Sequence, residues 1–275
     1  MPKRADILMV EQGLAQSRER AKALIMEGVV YFGEQKVNKA SDGFAEDAVL
    51  TVREDPIPFV SRGGLKLKKA VEKYNIDLNG KVCLDVGAST GGFTDCMLQN
   101  GAELVYAVDV GYGQLDWCLR NDSRVVCMER HNARLMEPAW FERQPGFASC
   151  DVSFISIKLI LPCMYQCLAE GSRAVVLVKP QFEAGKGKVG KNGVVRDAVT
   201  HAAVLNDCTR AAVACGFMPI ALDYSPITGP KGNIEYLMYL YKPGTEGCAE
   251  VETLPEGEIE AEVKKVVDIS HVELM

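Results

Sequence analysis

The sequence lacks the features that mark exported, membrane-spanning and zinc-binding proteins. Its 275 residues contain no run of 18 apolar residues, and the first segment, MPKRADILMVEQG, has charges on both sides of a short apolar run. The ten cysteines include no CxxC pair and no zinc spacing with histidine, so we expect reduced thiols and no metal site. These absences predict a cytoplasmic protein. Its length of 275 residues is enough for one full domain and a small module.

Excess basic charge, the usual mark of a protein that binds polyanions, is also lacking. The net charge is −6, but nine acidic and two basic residues fall within residues 246–275, a net charge of −7 that leaves +1 for residues 1–245. The acidity therefore belongs to the C-terminal tail, residues 243–275, and a polyanionic partner is not excluded. A predicted helix near Glu256–Val267 has four apolar residues on one side, Ile259, Val263, Val266 and Val267.

Residues 81–94, KVCLDVGASTGGFT, have the pattern of a buried strand, a tight glycine turn and the start of a helix. Glycine permits positive φ and close approach of a ligand, and a helix N-terminus offers free N–H groups to polar atoms. The dinucleotide fingerprint GxGxxG fails at its second glycine, so a nucleoside with an amino-acid tail, as in S-adenosylmethionine, suits the turn better than a pyrophosphate. An ordinary glycine-rich turn is the alternative. The candidate cofactor residues here are Asp85, Gly87, Ala88, Ser89, Gly91 and Gly92.

Strands and helices alternate through residues 81–241. This alternation predicts an α/β fold with a Rossmann-like, mostly parallel sheet, helices on both faces and an antiparallel last hairpin. Asp109 follows one predicted strand, 22 positions after Gly87, where a carboxylate can accept hydrogen bonds from a ribose diol. Asn132 follows the next strand, and its amide suits an adenine edge.

Four charged residues are candidates for catalysis. Asp151 and Lys179 stand at the carboxyl ends of predicted strands, the edge where open α/β sheets bind ligands. Lys66 opens a predicted helix, where its charge is slightly unfavourable with respect to the helix dipole, so another reason for it is expected. Glu235 lies in the last predicted strand, Ile234–Tyr241. A buried lysine with a lowered pKa could accept a proton while neighbouring carboxylates hold it in place.

Residues 1–53 are predicted to form a separate α+β module. Two short helices, Asp6–Glu11 and Ser17–Met26, precede strands at Val29–Phe32, Gln35–Asn38 and Val49–Val52, and residues 54–62, with two prolines, suit a linker to a domain at residues 63–242. The module has eight basic and eight acidic residues, so a solvated helical face is as reasonable as a basic one. The candidate RNA contacts are Arg4, Arg18, Arg20, Lys22, Arg62, Lys186 and Lys188.

Motifs spread over residues 4–242 resemble those of one enzyme family. The segments VSRGGLKL, CLDVGASTGGFT, VDVGYGQL, ERHNAR, DVSFIS, LVKPQFE and SPITGPKGNIEY look like those of TlyA-type ribosomal RNA 2′-O-methyltransferases, which join an S4 RNA-binding module to a catalytic domain of the FtsJ/RrmJ kind. The resemblance implies S-adenosylmethionine as cofactor and Lys179 as the proton-accepting lysine, with Asp151, Lys66 and Glu235 completing the tetrad. It also implies a cofactor pocket that includes Gly87, Ala88, Ser89, Gly91, Asp109 and Asn132.

The resemblance implies ribosomal RNA, or a ribosomal subunit, as partner and a monomeric enzyme that acts on a cytidine ribose. Because the chain begins almost at the S4 pattern, we expect 16S rRNA of the small subunit to be the substrate, with 23S rRNA as a second possibility. Three other functions stay open on the sequence: a non-catalytic RNA-binding assembly factor, a membrane-active haemolysin, since relatives carry that name, and a small-molecule methyltransferase.

Overall fold

The computed structural model describes residues 2–33, 35–52, 57–185, 187–190, 192–244 and 251–274, without the side chain of Glu27. The chain forms two compact units, Met1–Val60 and Ser61–Met275. Among the described residues, no helix is both long enough and apolar enough to cross a membrane.

The first unit consists of two helices and short strands. The helices are α1 (Ala5–Glu11) and α2 (Arg18–Glu27), and the strands are β1 (Lys3–Arg4), β2 (Val30–Phe32), β3 (Gln35–Lys36), β4 (Gly43–Phe44) and β5 (Leu50–Val52). Ser17 caps α2, because its side chain accepts a hydrogen bond from the Arg20 amide. Strands β3, β2 and β5 form an antiparallel sheet, and β1 pairs with β4. Strand β3 ends at Lys36, two residues before its predicted end.

The second unit contains a seven-stranded sheet flanked by helices. Its strands are β6 (Val82–Val86), β7 (Leu104–Val108), β8 (Val125–Met128), β9 (Phe147–Cys150), β10 (Arg173–Val178), β11 (Met218–Tyr224) and β12 (Tyr236–Tyr241). Its helices are α3 (Gly64–Lys73), α4 (Gly92–Gln99), α5 (Trp117–Arg120), α6 (Leu161–Cys167), α7 (Pro180–Glu183), α8 (Ala198–Ala214) and α9 (Ile259–Leu274). Short 3₁₀ helices lie at Ala133–Leu135, Pro138–Trp140, Ile157–Leu159 and Glu256–Glu258.

The strand order β11-β12-β10-β9-β6-β7-β8 confirms the predicted α/β fold. Strands β6 to β10 pair in parallel, whereas β12 is antiparallel to both of its neighbours, as expected for the last hairpin. Strand β12 begins at Tyr236, so Glu235 precedes the strand in which it was predicted to lie. The chain continues from β6 to one side through β7 and β8 and then crosses to β9 on the other side. This reversal creates the crevice in which open α/β sheets bind ligands.

Helix α9, which lies in the predicted acidic tail, belongs to the same compact unit as the seven-stranded sheet. Helix α9 packs against α8 and β11. The predicted apolar side of this helix is buried in the hydrophobic core, and its members are Ile259, Val263, Val266 and Val267. Helix α9 packs there because these four side chains recur on one face of the helix, and burying their apolar surface against the sheet is favourable, while the acidic residues face outward.

Candidate active site

A cleft opens at the carboxyl ends of β6, β9 and β10, next to the start of α3. Its cavity volume is about 160 Å³. The residues that line it are Ser61, Gly63, Gly87, Ala88, Ser89, Thr90, Gly92, Phe93, Asp151, Ser153 and Lys179. Four of the six predicted residues of the glycine turn, Gly87, Ala88, Ser89 and Gly92, are among them.

The fold brings the four predicted catalytic residues together. Lys66 Nζ lies 3.2 Å from Asp151 Oδ2 and 2.7 Å from Glu235 Oε2. Lys179 Nζ forms an ion pair with the other oxygen of Asp151 and donates a hydrogen bond of 2.9 Å to Ser153 Oγ. Asp151 therefore bridges the two lysines. This contact also supplies the reason for a lysine in the first turn of α3, because two carboxylates offset the unfavourable helix dipole there.

The charges of the tetrad stabilise one another although the site is buried. Burial opposes the charge on Lys66, but the carboxylates of Asp151 and Glu235 outweigh it, so the pKa of Lys66 is raised. Burial likewise opposes ionisation of Asp151, and the two lysines overcome it, so the pKa of Asp151 is lowered. Lys66 therefore does not have the lowered pKa that is expected of a proton-accepting lysine. The network holds Asp151 as a carboxylate between the side chains of Lys66 and Lys179.

The glycine turn has the backbone conformation that its sequence predicts. Gly87 and Gly91 have φ values of +85° and +96°, which favour glycine. A Cβ atom on Gly87 would lie 2.7 Å from the backbone oxygen of Asp151, and one on Gly92 would lie 2.4 Å from Ser61 Oγ. The turn therefore packs directly against the strand end that carries Asp151, and no side chain larger than hydrogen fits at Gly87.

Two further predicted cofactor residues lie at the same edge of the sheet. Asp109 accepts hydrogen bonds from the Ser89 amide at 2.8 Å and the Gly111 amide at 2.6 Å, which fixes its carboxylate beside the glycine turn. Asn132 is exposed after β8, does not line the cleft, and its side-chain oxygen already accepts a hydrogen bond from the Arg134 amide. That amide group is thus a cap of a 3₁₀ helix, which the sequence did not indicate.

Asp85, a predicted cofactor residue, is not among the residues that line the cleft. It is fully buried in β6, and its two oxygens accept hydrogen bonds from Thr94 Oγ1 at 2.7 Å and Ser149 Oγ at 3.1 Å. Burial raises the pKa of Asp85 to about 7, against the opposing effect of these two hydroxyls. Asp85 therefore ties β6 to α4 and β9 from beneath the turn.

We expect Asp85→Asn to change how stability depends on pH. The folded-state pKa of about 7 lies above the usual value of 3.8, so the folded chain binds more protons than the unfolded chain between these values, and its stability falls as pH rises through that window. Asparagine cannot ionise, so the free energy of unfolding of the variant should rise by about 4 kcal/mol relative to that of wild type between pH 4 and pH 8. Urea unfolding at several pH values measures this free energy, and plots against pH that run parallel for the two proteins would contradict the prediction.

Several site residues escaped the sequence prediction. Ser61, Gly63, Thr90, Phe93 and Ser153 line the cleft, although DVSFIS and VSRGG were recognised as motifs. Gln181 Nε2 donates a hydrogen bond of 3.3 Å to Glu235 Oε1. Phe154 is 90 % exposed at a strained φ of +64°, with its ring 5.0 Å from that of Phe182. The sequence signal for these two phenylalanines is their position, because Phe154 closely follows Asp151 and Phe182 closely follows Lys179, the two charged residues at strand ends.

The predicted RNA contacts of the first unit include a shared ion pair. Arg4 Nε and Arg18 Nη2 each lie 2.9 Å from the carboxylate of Asp6, which is fully buried. Hydrogen bonds from Arg4, and then from Arg18, outweigh burial and lower the pKa of Asp6 to about 2. The two arginine side chains are 45 % and 49 % exposed, so the carboxylate holds two guanidinium groups at the surface.

The other predicted RNA contacts are distributed over both units. Arg20 Nη2 donates a hydrogen bond to the Ile57 carbonyl, and Lys22 Nζ lies 4.0 Å from Glu19. Arg62 and Lys188 are exposed in the second unit. Lys186 lies outside the described residues.

The cleft fits S-adenosylmethionine by the chemistry of its groups. Helix α4 begins at Gly92 without a side-chain cap from Gly91, and Gly92 and Phe93 line the cleft, so a helix N-terminus that favours a carboxylate lies there. Asp109 lies beside the glycine turn, outside the lining of the cleft, and is only partly buried, so it offers further acceptor positions to hydroxyl groups. The glycines of the turn leave the backbone bare, as a close ligand requires. These residues, Gly87 to Gly92 and Asp109, are the ones that would hold the nucleoside and its amino-acid tail.

Known proteins resemble this chain over most of its length. The sequence profile of the FtsJ-like methyltransferase family matches residues 59–242. A Bacillus subtilis protein with the provisional name rRNA methyltransferase YqxC is 51% identical over 98% of this chain and 94% of its own. The 16S/23S rRNA (cytidine-2′-O)-methyltransferase TlyA of Mycobacterium tuberculosis is 43% identical over 86% of this chain and 89% of its own. A solved structure from Streptococcus thermophilus, provisionally named hemolysin, has 45% identity and a TM-score of 0.77 over 99% of this chain and 97% of its own.

Proposed function

The chain belongs to the FtsJ-like methyltransferase family, and from this premise we propose that it methylates a ribose 2′-oxygen of ribosomal RNA. The observation that carries the proposal is the tetrad: Asp151 bridges Lys66 and Lys179 at the wall of the cleft that contains the glycine turn. Relatives named as rRNA methyltransferases, among them a cytidine 2′-O-methyltransferase, support rRNA as the substrate and a cytidine as the nucleotide. We also propose that the protein acts in the cytoplasm and as a monomer.

The residues of the tetrad suit transfer to a weakly acidic hydroxyl. S-adenosylmethionine, when bound, supplies a methyl group on a positively charged sulfur. Lys179 lines the cleft, so its side chain, in the neutral amine form, is the group placed to take the proton of the ribose hydroxyl and become an ammonium beside Asp151. Ser153 and Asp151 fix that amine from two sides. Lys66 pairs with both Asp151 and Glu235, so its positive charge helps to keep Asp151 ionised and able to pair with Lys179 as well.

Labelled methyl transfer tests the proposed function. Purified protein, S-adenosylmethionine with a labelled methyl group, and ribosomal subunits or their naked RNA are combined, and the modified nucleotide is identified by mass spectrometry. We expect the label on a cytidine 2′-oxygen of 16S rRNA, with 23S rRNA as the second substrate to be tried. Label on a base, or tight RNA binding without turnover, would overturn the proposal and favour a different methyltransferase or a non-catalytic assembly factor.

We further propose that the first unit is an S4-like RNA-binding module whose arginine pair contacts phosphates. Because Asp6 uses only part of each guanidinium, Arg4 and Arg18 keep N–H groups for a second partner. Arg62 and Lys188 are exposed basic residues of the second unit and are proposed to contribute weaker contacts.

Arg18→Ala is expected to weaken RNA binding uniformly across sequences. Loss of one phosphate contact should reduce the slope of log affinity against log salt by about 1, with methyl transfer unchanged at saturating RNA. Filter binding at several salt concentrations measures the slope. The matched control is Arg143→Ala, because Arg143 is also 49% exposed and paired, with Glu103, but belongs to the second unit. Equal slopes for Arg18→Ala and wild type would remove Arg18 from the RNA-binding surface.

A further inference from the structure

The last turn of helix α9 contacts the supports of two catalytic residues. Three polar residues of this turn, which we call the C-terminal clamp, are Ser270, His271 and Glu273. Ser270 Oγ lies 3.1 Å from the hydroxyl of Tyr236, and His271 Nε2 lies 2.9 Å from Nδ1 of His201. Glu273 accepts a hydrogen bond of 2.5 Å from the hydroxyl of Tyr224. The proposed function does not explain these contacts.

The first route leads from the clamp to Glu235. Tyr236 directly follows Glu235, and its buried hydroxyl is held by Ser270 and by His201 Nδ1 at 2.8 Å. Consecutive residues of an extended chain point to opposite sides, so Tyr236 contacts α8 and α9 while Glu235 contacts Lys66. Fixing the Tyr236 ring therefore fixes the backbone from which Glu235 projects. His201 also contacts the Val195 carbonyl at 3.1 Å, which ties the preceding loop to the same cluster.

The second route leads from the clamp to Lys66. The ring of Tyr224 lies 3.6 Å below Lys69 Nζ, which also donates a hydrogen bond of 2.7 Å to the Tyr224 carbonyl. The neighbouring Asp223 is buried and accepts hydrogen bonds from Lys69 at 3.1 Å and Lys73 at 2.8 Å. Both lysines belong to α3, and Lys66 lies less than one turn before Lys69. Glu273 thus fixes Tyr224, which contacts Lys69 of α3, the helix that also carries Lys66.

We infer that the C-terminal clamp is a positioning element that sets the 2.7 Å contact between Lys66 and Glu235. Lys66 lies in α3 and Glu235 just before β12, 169 positions apart, so no local structure fixes their distance. The clamp connects to both segments from a single helix turn. It deepens the proposed function, on which it rests, by giving residues outside the cleft a role in catalysis.

The test uses full-length Tyr236→Phe and Glu273→Ala, which interrupt the first and second routes. Their matched controls are Val272→Ala, on the same turn but 85 % exposed, and Glu262→Ala, a carboxylate of α9 that pairs with Lys265. Each folded protein is treated with an amine-acylating reagent, and the modification rate of Lys66 is measured by peptide mass spectrometry. In parallel, kcat and the KM for S-adenosylmethionine are measured with ribosomal RNA.

We expect both route variants to raise Lys66 acylation several-fold, because its pairing with Glu235 loosens, and to lower kcat about tenfold at unchanged KM. Both controls should match wild type. Wild-type acylation of Lys66 in both route variants would overturn the inference, and so would a lower melting temperature with unchanged acylation and kcat, which marks a purely structural role. If wild-type protein transfers no methyl group to RNA, the proposed function fails, while the acylation rates still decide the inference.

Discussion

Lys179→Ala is expected to abolish methyl transfer, with kcat falling by about 10²- to 10⁴-fold, the usual contribution of a positioned acid or base. Lys179 lines the cleft and is held by Asp151 and Ser153, whereas Lys66, although it shares Asp151, is turned toward Glu235 and does not line the cleft. Lys66 therefore cannot substitute for it. Binding of S-adenosylmethionine, measured by calorimetry, should persist because the glycine turn and Asp109 are untouched.

A second variant at the same position separates two roles of Lys179. Arginine keeps the positive charge but cannot give up its proton in a protein, so Lys179→Arg should be as inactive as alanine if the amine accepts a proton. If Lys179 only balances charge, arginine should retain much of the activity. Lys68→Ala is the control, since Lys68 is a half-exposed lysine of α3 that pairs with Glu72. Activity of Lys179→Ala within about twofold of wild type would remove this lysine from the mechanism.

Asp151→Asn is expected to cost both activity and stability. The variant leaves two buried lysines without their shared carboxylate, and breaking a buried ion pair in this way costs about 3 to 5 kcal/mol. In the variant Lys66 still pairs with Glu235, whereas Lys179 loses its ion pair with Asp151, so Lys179 is affected more. Methyl transfer should fall with it, because Lys179 then keeps only Ser153 to orient its amine.

The pH dependence of stability identifies the ionised carboxylate as the cause. The pKa of Asp151 is lowered in the folded chain, so its contribution is present above the unfolded value of about 3.9 and is lost as pH falls through the folded value. Unfolding free energies of wild type and Asp151→Asn should therefore differ at pH 7 and converge in acid. Asp122→Asn is the control, because Asp122 forms a local pair with Arg124, and such pairs contribute at most about 1 kcal/mol. A constant difference at all pH values would point to packing instead.

Local sequence patterns determined much of the fold. The apolar runs that became β6 to β10, and the glycine turn after β6, act through neighbouring residues only, since strand formation and positive φ depend on nearby side chains and backbone. Strand ends also fix a common edge, so Asp151, Lys179 and Asp109 could be assigned to it from the sequence. The apolar side of α9 was visible for the same reason, although its burial against α8 and β11 was not.

The tertiary structure alone decided which distant side chains meet and which are buried. Lys66 and Glu235 were matched by family resemblance, but their contact, and the raised pKa that follows from it, depend on packing across 169 positions. Asp85 belongs to the strand–turn sequence pattern and was therefore predicted to contact the cofactor, yet its side chain is fully buried beneath the turn. The amino-acid sequence by itself fixed the strands, the turn and the chemistry of each side chain. Contacts and burial set which of these groups can act, because desolvation and charge pairing are properties of the folded environment.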